Sequence, residues 1–269
     1  MNQQLPIGVF DSGIGGLTVL RALMQQLPQE RFLYLGDTAR LPYGTKTAAT
    51  VERYALQAVG ELVRRGVKAV VIACNTASAA AIPALHAAYP QLLIVGVIEP
   101  GADAAVAAST RGHIGVLATE GTVRGGAYQR AILLRCPGAQ VDAVAATLFV
   151  ALAEEGWVAG EVAVAVARRY LAPLFAGGAG PDVLVMGCTH FPPLVAAIRA
   201  VIPAAVRIVD SAVTTASAVA GLLSQHGLAT AGQGGMHFLV TDGEERFARV
   251  GPVFLGQEIR SNAIERVDL

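Results

Sequence analysis

The chain has 269 residues, which is enough for one large domain or two modest ones. Its 20 basic and 20 acidic side chains balance, so no net field favours nucleic acid, an anionic membrane surface or an acidic polymer, and a small ligand fits better. The N-terminal sequence MNQQLPIGVF lacks the pattern of a secretory signal. The longest uncharged run, residues 69–85, contains polar residues and a proline, which membrane spans rarely combine. We therefore expect a soluble, cytoplasmic protein.

Short apolar runs alternate with stretches of helical character along the whole chain. The predicted strands are residues 7–10, 32–35, 69–73, 93–97, 114–117, 183–186 and 208–209. The predicted helices are residues 17–26, 48–65, 123–134, 161–171 and 194–201. Buried strands that alternate with helices predict an α/β fold with mainly parallel sheets.

A weak internal repeat divides the chain. Each half begins with a similar strand, Ile7-Gly-Val-Phe-Asp in the first and Ile114-Gly-Val-Leu-Ala in the second. In each half a later strand ends at a cysteine, Cys74 in the first and Cys188 in the second. The repeat predicts two pseudo-symmetric α/β domains, one from residues 1–98 plus 211–269 and the other from residues 99–210. Ligands of such folds bind at the carboxyl ends of the strands, so we expect the active site at the domain interface.

The two cysteines share one local context, an apolar run followed by cysteine and polar residues. With Cys136 they make three, an odd number that argues against a disulfide framework and indicates reduced thiols. A lone intracellular cysteine is usually structural, but the repeated context favours a functional pair. A helix N-terminus beside each sulfur would lower its thiol pKa.

Other uses of two thiols fit less well. The chain has no Cys-x-x-Cys redox motif, and only His190 stands near a cysteine as a further zinc ligand. A covalent Cys-His hydrolase needs one thiol and leaves the second unexplained. Two thiols on opposite faces of one carbon would explain both cysteines, because one can remove a proton while the other delivers one, which inverts the stereocentre.

Further candidates surround the cysteines in sequence. Asp11 and Ser12 follow the first strand and His190 follows Cys188; Asp11 is equally typical of a helix N-cap, and His190 of an ordinary loop histidine. The following glycines lack the third glycine of a dinucleotide fingerprint and the lysine of a P-loop, so we expect their amides to approach a small anion such as a carboxylate. Tyr43 and Gly44 lie in a turn that could close over a site.

Asn75, Thr76 and Thr189 are donors placed where a substrate carboxylate would meet a helix N-terminus, although they are also common capping residues. Lysine is scarce. Lys68 precedes its strand and Lys46 is a weak Schiff-base candidate, so we expect no pyridoxal phosphate and no other cofactor.

The motifs DSGIGG, LPYGTK, ACNTAS and GCTHFPPL occur in that order, and the chain ends with FLVTDGEERFARVGPVFLG. In these segments the chain resembles the glutamate racemases, cofactor-independent enzymes of the amino-acid racemase superfamily. The resemblance implies two α/β domains in pseudo-twofold relation, glutamate as the small-molecule substrate, no metal, and supply of D-glutamate for peptidoglycan. We keep a homodimer as a candidate assembly. We expect no nucleic-acid partner and no membrane partner.

By position, the resemblance makes Cys74 and Cys188 the catalytic bases, with Asp11 assisting the first and His190 the second. The positions that would line the substrate pocket are Asp11, Ser12, Tyr43, Gly44, Asn75, Thr76, Thr189 and His190, with Thr119 and Thr122 as further hydroxyls.

One segment departs from the family pattern. Relatives commonly carry Cys-Pro before a Phe-Val-Pro motif that leads to a glutamate, whereas this chain has residues 146–151 without those prolines, followed by Glu154. Two alternatives stay open on the sequence: a racemase of aspartate or another small amino acid, and a racemase-like protein with a regulatory, gyrase-binding role.

Overall fold

The computed structural model describes residues 3–178 and 180–269 of the chain. It has an α/β architecture with two parallel sheets flanked by helices, which confirms the predicted fold class. The strands are β1 (Ile7–Asp11), β2 (Arg31–Gly36), β3 (Ala69–Ile72), β4 (Leu93–Gly96), β5 (His113–Ala118), β6 (Gln140–Ala145), β7 (Val183–Gly187), β8 (Arg207–Asp210), β9 (Gly235–Val240) and β10 (Ile264–Arg266). The helices are α1 (Leu17–Gln26), α2 (Ala48–Arg64), α3 (Asn75–Ala88), α4 (Ile98–Ala108), α5 (Glu120–Gly125), α6 (Ala127–Arg135), α7 (Leu148–Glu154), α8 (Gly160–Phe175), α9 (Val195–Arg199), α10 (Ser211–Gln225) and α11 (Glu244–Leu255).

The first sheet has six strands in the order β10-β9-β2-β1-β3-β4, and the second has four in the order β6-β5-β7-β8. All strand pairs within the described ranges are parallel. Every residue of β1, β3 and β7 is buried, because helices cover both faces of a parallel sheet and leave no strand face for solvent. This is why these strands stand out in the sequence as continuous apolar runs.

The helices bury one apolar stripe each. In α2, Val51, Ala55, Ala58, Val59 and Leu62 are buried at the spacing of one helical face. The helix begins where the backbone N–H of Thr50 donates to the side chain of Thr47, which satisfies one of the free amides of the first turn.

The strand order reverses once in each sheet. In the first sheet the chain moves from β1 to β2 on one side and then to β3 on the other; in the second it moves from β5 to β6 and then to β7. Such reversals leave a crevice at the carboxyl ends of the central strands. Cys74 follows β3 and Cys188 follows β7, so each cysteine stands beside the crevice of its sheet.

The structure differs from the predicted elements in several respects. Helices α4, α7, α10 and α11 were not among the predicted helices. The predicted helix at residues 123–134 is divided into α5 and α6, because Gly126 takes a left-handed conformation with φ of 62° that ends the first helix. Three strands, β6, β9 and β10, were not predicted: they lie toward the outer edges of the sheets and are partly exposed, so they lack continuous apolar runs.

One apolar cluster extends from a face of the first sheet, around Val9 and Val71, into the second sheet, around Val116 and Val185. The proposed domain limits at residues 98 and 211 fall at the first residues of α4 and α10, and they stay a prediction. Among the residues described, no helix combines the length and the apolar character needed to cross a membrane.

Candidate active site

A cavity of about 310 Å³ lies at the carboxyl ends of the central strands of both sheets. Its lining residues are Ser12, Leu41, Pro42, Tyr43, Gly44, Thr45, Cys74, Asn75, Thr76, Thr119, Thr147, Val150, Ala151, Glu154, Cys188, Thr189 and His190. Cys74 and Cys188 thus line the same cavity, although each side chain is otherwise almost fully buried. A larger groove of about 720 Å³ lies between α3, α4, α6 and α10, and neither cysteine is among its lining residues.

Cys74 caps helix α3. Its Sγ accepts a hydrogen bond from the backbone N–H of Ala77 at 3.4 Å, and its thiol donates to Ser12 Oγ at 3.5 Å. Burial and the nearby carboxyl group of Asp11 raise the pKa of the Cys74 thiol to about 12, against the smaller opposing effect of these hydrogen bonds. Cys74 is therefore a protonated thiol at neutral pH, which is the form that can donate a proton.

Asp11 lies beneath the cavity rather than in its lining, and its side chain is fully buried. Its Oδ2 accepts from the backbone N–H of Gly13 at 2.9 Å. Burial raises the pKa of this carboxyl group, while the charge of His190 and the turn amides oppose the rise. The amides of the glycine turn were expected to meet the carboxylate of a ligand; the carboxylate that they bind in the structure is that of Asp11.

The turn glycines have a second role, which is close packing between the two sheets. A Cβ atom on Gly15 would lie 2.4 Å from His190 Nδ1 and 2.5 Å from Thr189 Oγ1, and a Cβ on Gly16 would lie 2.4 Å from Asp11 Cβ. A side chain at Gly15 would displace the groups that follow Cys188, and a side chain at Gly16 would displace Asp11. The glycine turn therefore allows the segments around the two cysteines to approach each other.

Cys188 has a different neighbour from Cys74. Its Sγ lies 3.9 Å from Nδ1 of His190, and Nε2 of the same ring lies 3.0 Å from Oε1 of Glu154. Burial lowers the pKa of His190, but the hydrogen bonds to Cys188 and Glu154 outweigh it and raise the pKa to about 10. His190 is therefore an imidazolium at neutral pH, and a positive charge beside a sulfur stabilises its thiolate.

Glu154 and Phe254 hold this histidine in place. Arg246 of α11 donates to Glu154 Oε2 at 2.8 Å, and the ring of Phe254, also from α11, meets the His190 ring edge-on at a centroid distance of 5.2 Å. Burial opposes ionisation of Glu154, but the pKa of its carboxyl group is below its ordinary value, because the hydrogen bonds and charges of His190 and Arg246 outweigh the effect of burial. The C-terminal helix thus orients the partner of Cys188.

Tyr43 and Gly44 lie in the cavity wall as expected, but the Tyr43 hydroxyl is bound. It donates to Oδ2 of the buried Asp37, which also accepts from Arg40 at 2.7 Å and Thr241 at 3.0 Å. A Cβ on Gly44 would lie 2.9 Å from Thr119 Cβ, so the absence of a side chain lets this turn close against the second sheet.

Hydroxyl and amide groups form the wall beside this turn. Thr76 Oγ1 lies 3.0 Å from Thr119 Oγ1, which lies 3.1 Å from Thr122 Oγ1. Asn75, Thr76, Thr119 and Thr189 line the cavity, whereas Thr122 is buried behind it. Together with the N-terminus of α3, these donors suit a carboxylate-bearing ligand.

The family model for Asp/Glu/hydantoin racemases matches residues 7–219 of the chain. A glutamate racemase from Geobacter metallireducens is 49% identical over 255 residues, which cover 94% of this chain and 93% of the relative. A glutamate racemase from Neisseria meningitidis serogroup A is 45% identical over 271 residues, with 100% and 98% covered. The crystal structure of glutamate racemase from Francisella tularensis in complex with D-glutamate superposes with a TM-score of 0.91 at 35% identity, covering 99% of this chain and 98% of that one.

The chain belongs to this racemase family. The comparisons confirm the resemblance predicted from the ordered motifs, and they confirm that it runs over nearly the whole chain.

Residues 146–151, where the chain departs from the common pattern of the racemase family, form the start of α7 and its approach. Thr147, Val150 and Ala151 line the cavity from this segment, and Glu154 at the end of α7 contacts His190. This segment, which lacks the two prolines, leads into a helix that brings Glu154 to the site.

Sequence reasoning gave no role in the site to Asp37, which binds the Tyr43 hydroxyl, or to Tyr128. Asp37 directly follows β2, as Ser12 directly follows β1, so the rule of polar residues after central strands could have found it. Tyr128 is the second residue of α6, and no local pattern separates it from a core tyrosine.

Proposed function

We propose that the chain interconverts L- and D-glutamate by a two-base reaction in which Cys74 and Cys188 face opposite sides of the α-carbon. The observation that carries this proposal is that both sulfurs line one cavity of about 310 Å³, a volume suited to a small amino acid. The cavity lining contains no lysine, and the buried Lys68 is paired with Glu30 at 2.6 Å, so the residues in the lining do not suggest a Schiff-base mechanism.

The two sulfurs have different neighbours, which suits a reaction in which one sulfur accepts a proton and the other donates one. The thiolate form of Cys188, whose sulfur lies 3.9 Å from His190 Nδ1, removes the α-proton, so the carbon–hydrogen bond breaks and a sulfur–hydrogen bond forms. Cys74, as thiol, delivers its own proton to the opposite face of the carbanion. Asp11 assists Cys74 and His190 assists Cys188. The reverse reaction runs through the same steps with the two sulfurs exchanging roles.

The carbanion carries its charge largely on the α-carboxylate, which then resembles an enolate. Asn75, Thr76 and Thr119, with the N-terminus of α3, place donors in the cavity wall for this charge. Fixed donors aimed at developing charge lower the barrier more than flexible solvent does. Ser12, Tyr43, Gly44 and Thr189 complete the substrate pocket.

The relatives named glutamate racemase support glutamate as the substrate, as does the Francisella enzyme, whose crystal structure is a complex with D-glutamate. We propose the cytoplasm as the place of action and D-glutamate for peptidoglycan as the product used by the cell. A homodimer stays a prediction. A panel of L-glutamate, L-aspartate and other small amino acids separates a glutamate racemase from its nearest alternative.

The decisive experiment follows L-glutamate in deuterium oxide by proton NMR and by chiral analysis. We expect loss of the α-proton signal together with formation of D-glutamate, without added cofactor. Cys74→Ser and Cys188→Ser should each reduce racemisation by about 10²-fold or more, because an alcohol is a far weaker acid than a thiol. Cys136→Ser is the matched control, since Cys136 lies outside the cavity and should leave the rate unchanged.

The single variants also test the arrangement of the bases. Each retains one sulfur on one face of the α-carbon, so any remaining hydrogen exchange should be confined to one enantiomer, and the two variants should select opposite enantiomers. Exchange of both enantiomers by either variant would show that one sulfur reaches both faces, which contradicts the two-base mechanism.

A further inference from the structure

Asn75 presents an unsatisfied donor at the site. It is the first residue of α3, directly follows Cys74 and lines the cavity. Its Oδ1 accepts a hydrogen bond from the Tyr128 hydroxyl at 2.8 Å, whereas its buried Nδ2 has no hydrogen-bond partner among residues 3–178 and 180–269. A buried amide without partners is costly, so such a group indicates that a ligand completes it.

Tyr128 reaches Asn75 from α6, which follows the second sheet's first strand, so the bond links the two halves of the molecule. The side chain is fully buried and its ring is held closely on two sides. A Cβ on Gly187 would lie 2.9 Å from the ring and a Cβ on Gly101 would lie 3.2 Å from it. Because Gly187 directly precedes Cys188, Tyr128 contacts both cysteine segments.

Burial raises the pKa of the Tyr128 hydroxyl, against the effect of Ser211, so the phenol keeps its proton over the range in which an enzyme works. A protonated phenol in a fixed position can donate to the amide oxygen of Asn75. The amide oxygen and nitrogen branch from one carbon, so an oxygen held by Tyr128 leaves the two N–H donors for another partner.

We propose that Tyr128 is a positioning residue that orients the Asn75 side chain so that Nδ2 donates to a carboxylate of the bound substrate. This inference rests on the proposed function, because it takes the anionic amino acid as the partner of the unsatisfied amide. Without the phenol hydroxyl, the Asn75 amide is free to rotate and spends less time in the orientation that binds the substrate.

Tyr128→Phe tests the proposal because it removes only the hydroxyl. We expect KM for glutamate to rise about five- to tenfold, the effect of one lost hydrogen bond, while kcat changes by less than about twofold. Tyr89→Phe is the matched control, since Tyr89 lies at the far end of the same helix α3 and outside the cavity. The dissociation constant of D-glutamate, measured by calorimetry, should rise by the same factor as KM and does not depend on turnover.

A double-mutant cycle with Asn75→Ala separates positioning from a general structural role. If Tyr128 acts through Asn75, Tyr128→Phe should have no further effect on KM or on D-glutamate binding in the Asn75→Ala background. The same factor in both backgrounds, or an unchanged KM in Tyr128→Phe, would overturn the proposal.

Two further outcomes remain informative. If wild-type protein does not racemise glutamate, the proposed function fails, and calorimetry with D-glutamate still decides whether Tyr128 supports anion binding. If Tyr128→Phe does not fold, the side-chain amide of Asn75 is observed in ¹⁵N-labelled wild-type protein. A shift of its two proton signals on addition of D-glutamate supports the proposal, and unchanged signals overturn it.

Discussion

Glu154→Gln tests whether the second base depends on the charge of His190. Glu154 Oε1 lies 3.0 Å from His190 Nε2, and the carboxylate is mostly buried, at 12% side-chain exposure. Glutamine keeps the size and one oxygen acceptor but removes the negative charge. Arg246, which is 43% exposed, can be solvated after the change, so we expect the protein to fold.

The magnitude follows from the contribution of a charged hydrogen bond. Such bonds contribute about 1.5–3 kcal/mol, and about 1.4 kcal/mol corresponds to one pKa unit. The pKa of His190, raised to about 10 by Cys188 and Glu154 against burial, should therefore fall by roughly one to two units in the variant. A raised pKa keeps the imidazolium charged as pH rises. In Glu154→Gln the His190 ring should therefore lose its proton at a lower pH.

The assay is the pH profile of kcat/KM for each enantiomer of glutamate, together with an NMR titration of the His190 ring. We expect the alkaline limb of the profile to move to lower pH by about one unit or more, in step with the ring titration. Glu155→Gln is the control, because Glu155 is the exposed neighbour and should not move the limb. An unchanged titration of His190 in Glu154→Gln would refute the reasoning.

Two further variants test the packing that supports the site. Gly15→Ala places a Cβ 2.4 Å from His190 Nδ1 and should lower kcat by about 10²-fold, since small displacements of catalytic groups are costly; Gly138→Ala, which meets no atom within 4 Å, should not change the rate. Lys68→Met leaves the buried Glu30 carboxylate unpaired and should lower the free energy of unfolding by about 3–5 kcal/mol in urea denaturation. Restoration of much of this loss by Glu30→Gln in the same chain would identify the unpaired charge as its cause.

Much of the fold was predictable because the central strands are buried on both faces. Strands β1, β3 and β7 are continuous apolar runs, and the residues that end or follow them, including Cys74 and Cys188, lie at the crevices of their sheets. The outer strands β6, β9 and β10 were missed because partial exposure lets polar residues and glycine enter them. The local sequence pattern therefore predicts the positions of the cysteines better than it predicts the edges of the sheets.

The second layer of the site was not predictable from local pattern. Glu154 of α7 contacts His190, and Arg246 of α11 contacts Glu154; these segments are separated along the chain and meet only through tertiary packing. The contact of Tyr128 with Asn75 likewise joins residues of different halves. Spacing along the sequence carries no signal for such pairs, because each is fixed by how helices pack on two sheets.

The similar contexts of the two cysteines in the sequence indicate similar roles, but the structure surrounds them with opposite charges. Cys74 lies near the buried carboxyl group of Asp11, which with burial keeps it a thiol, and Cys188 lies 3.9 Å from the His190 imidazolium. The proposed two-base reaction needs one protonated and one deprotonated sulfur, because in each turnover one sulfur accepts a proton while the other donates one. Each turnover in this proposal leaves the two sulfurs in exchanged protonation states. The similar sequence contexts account for two sulfurs in one cavity, and we propose that their unequal neighbours decide which enantiomer the resting site deprotonates.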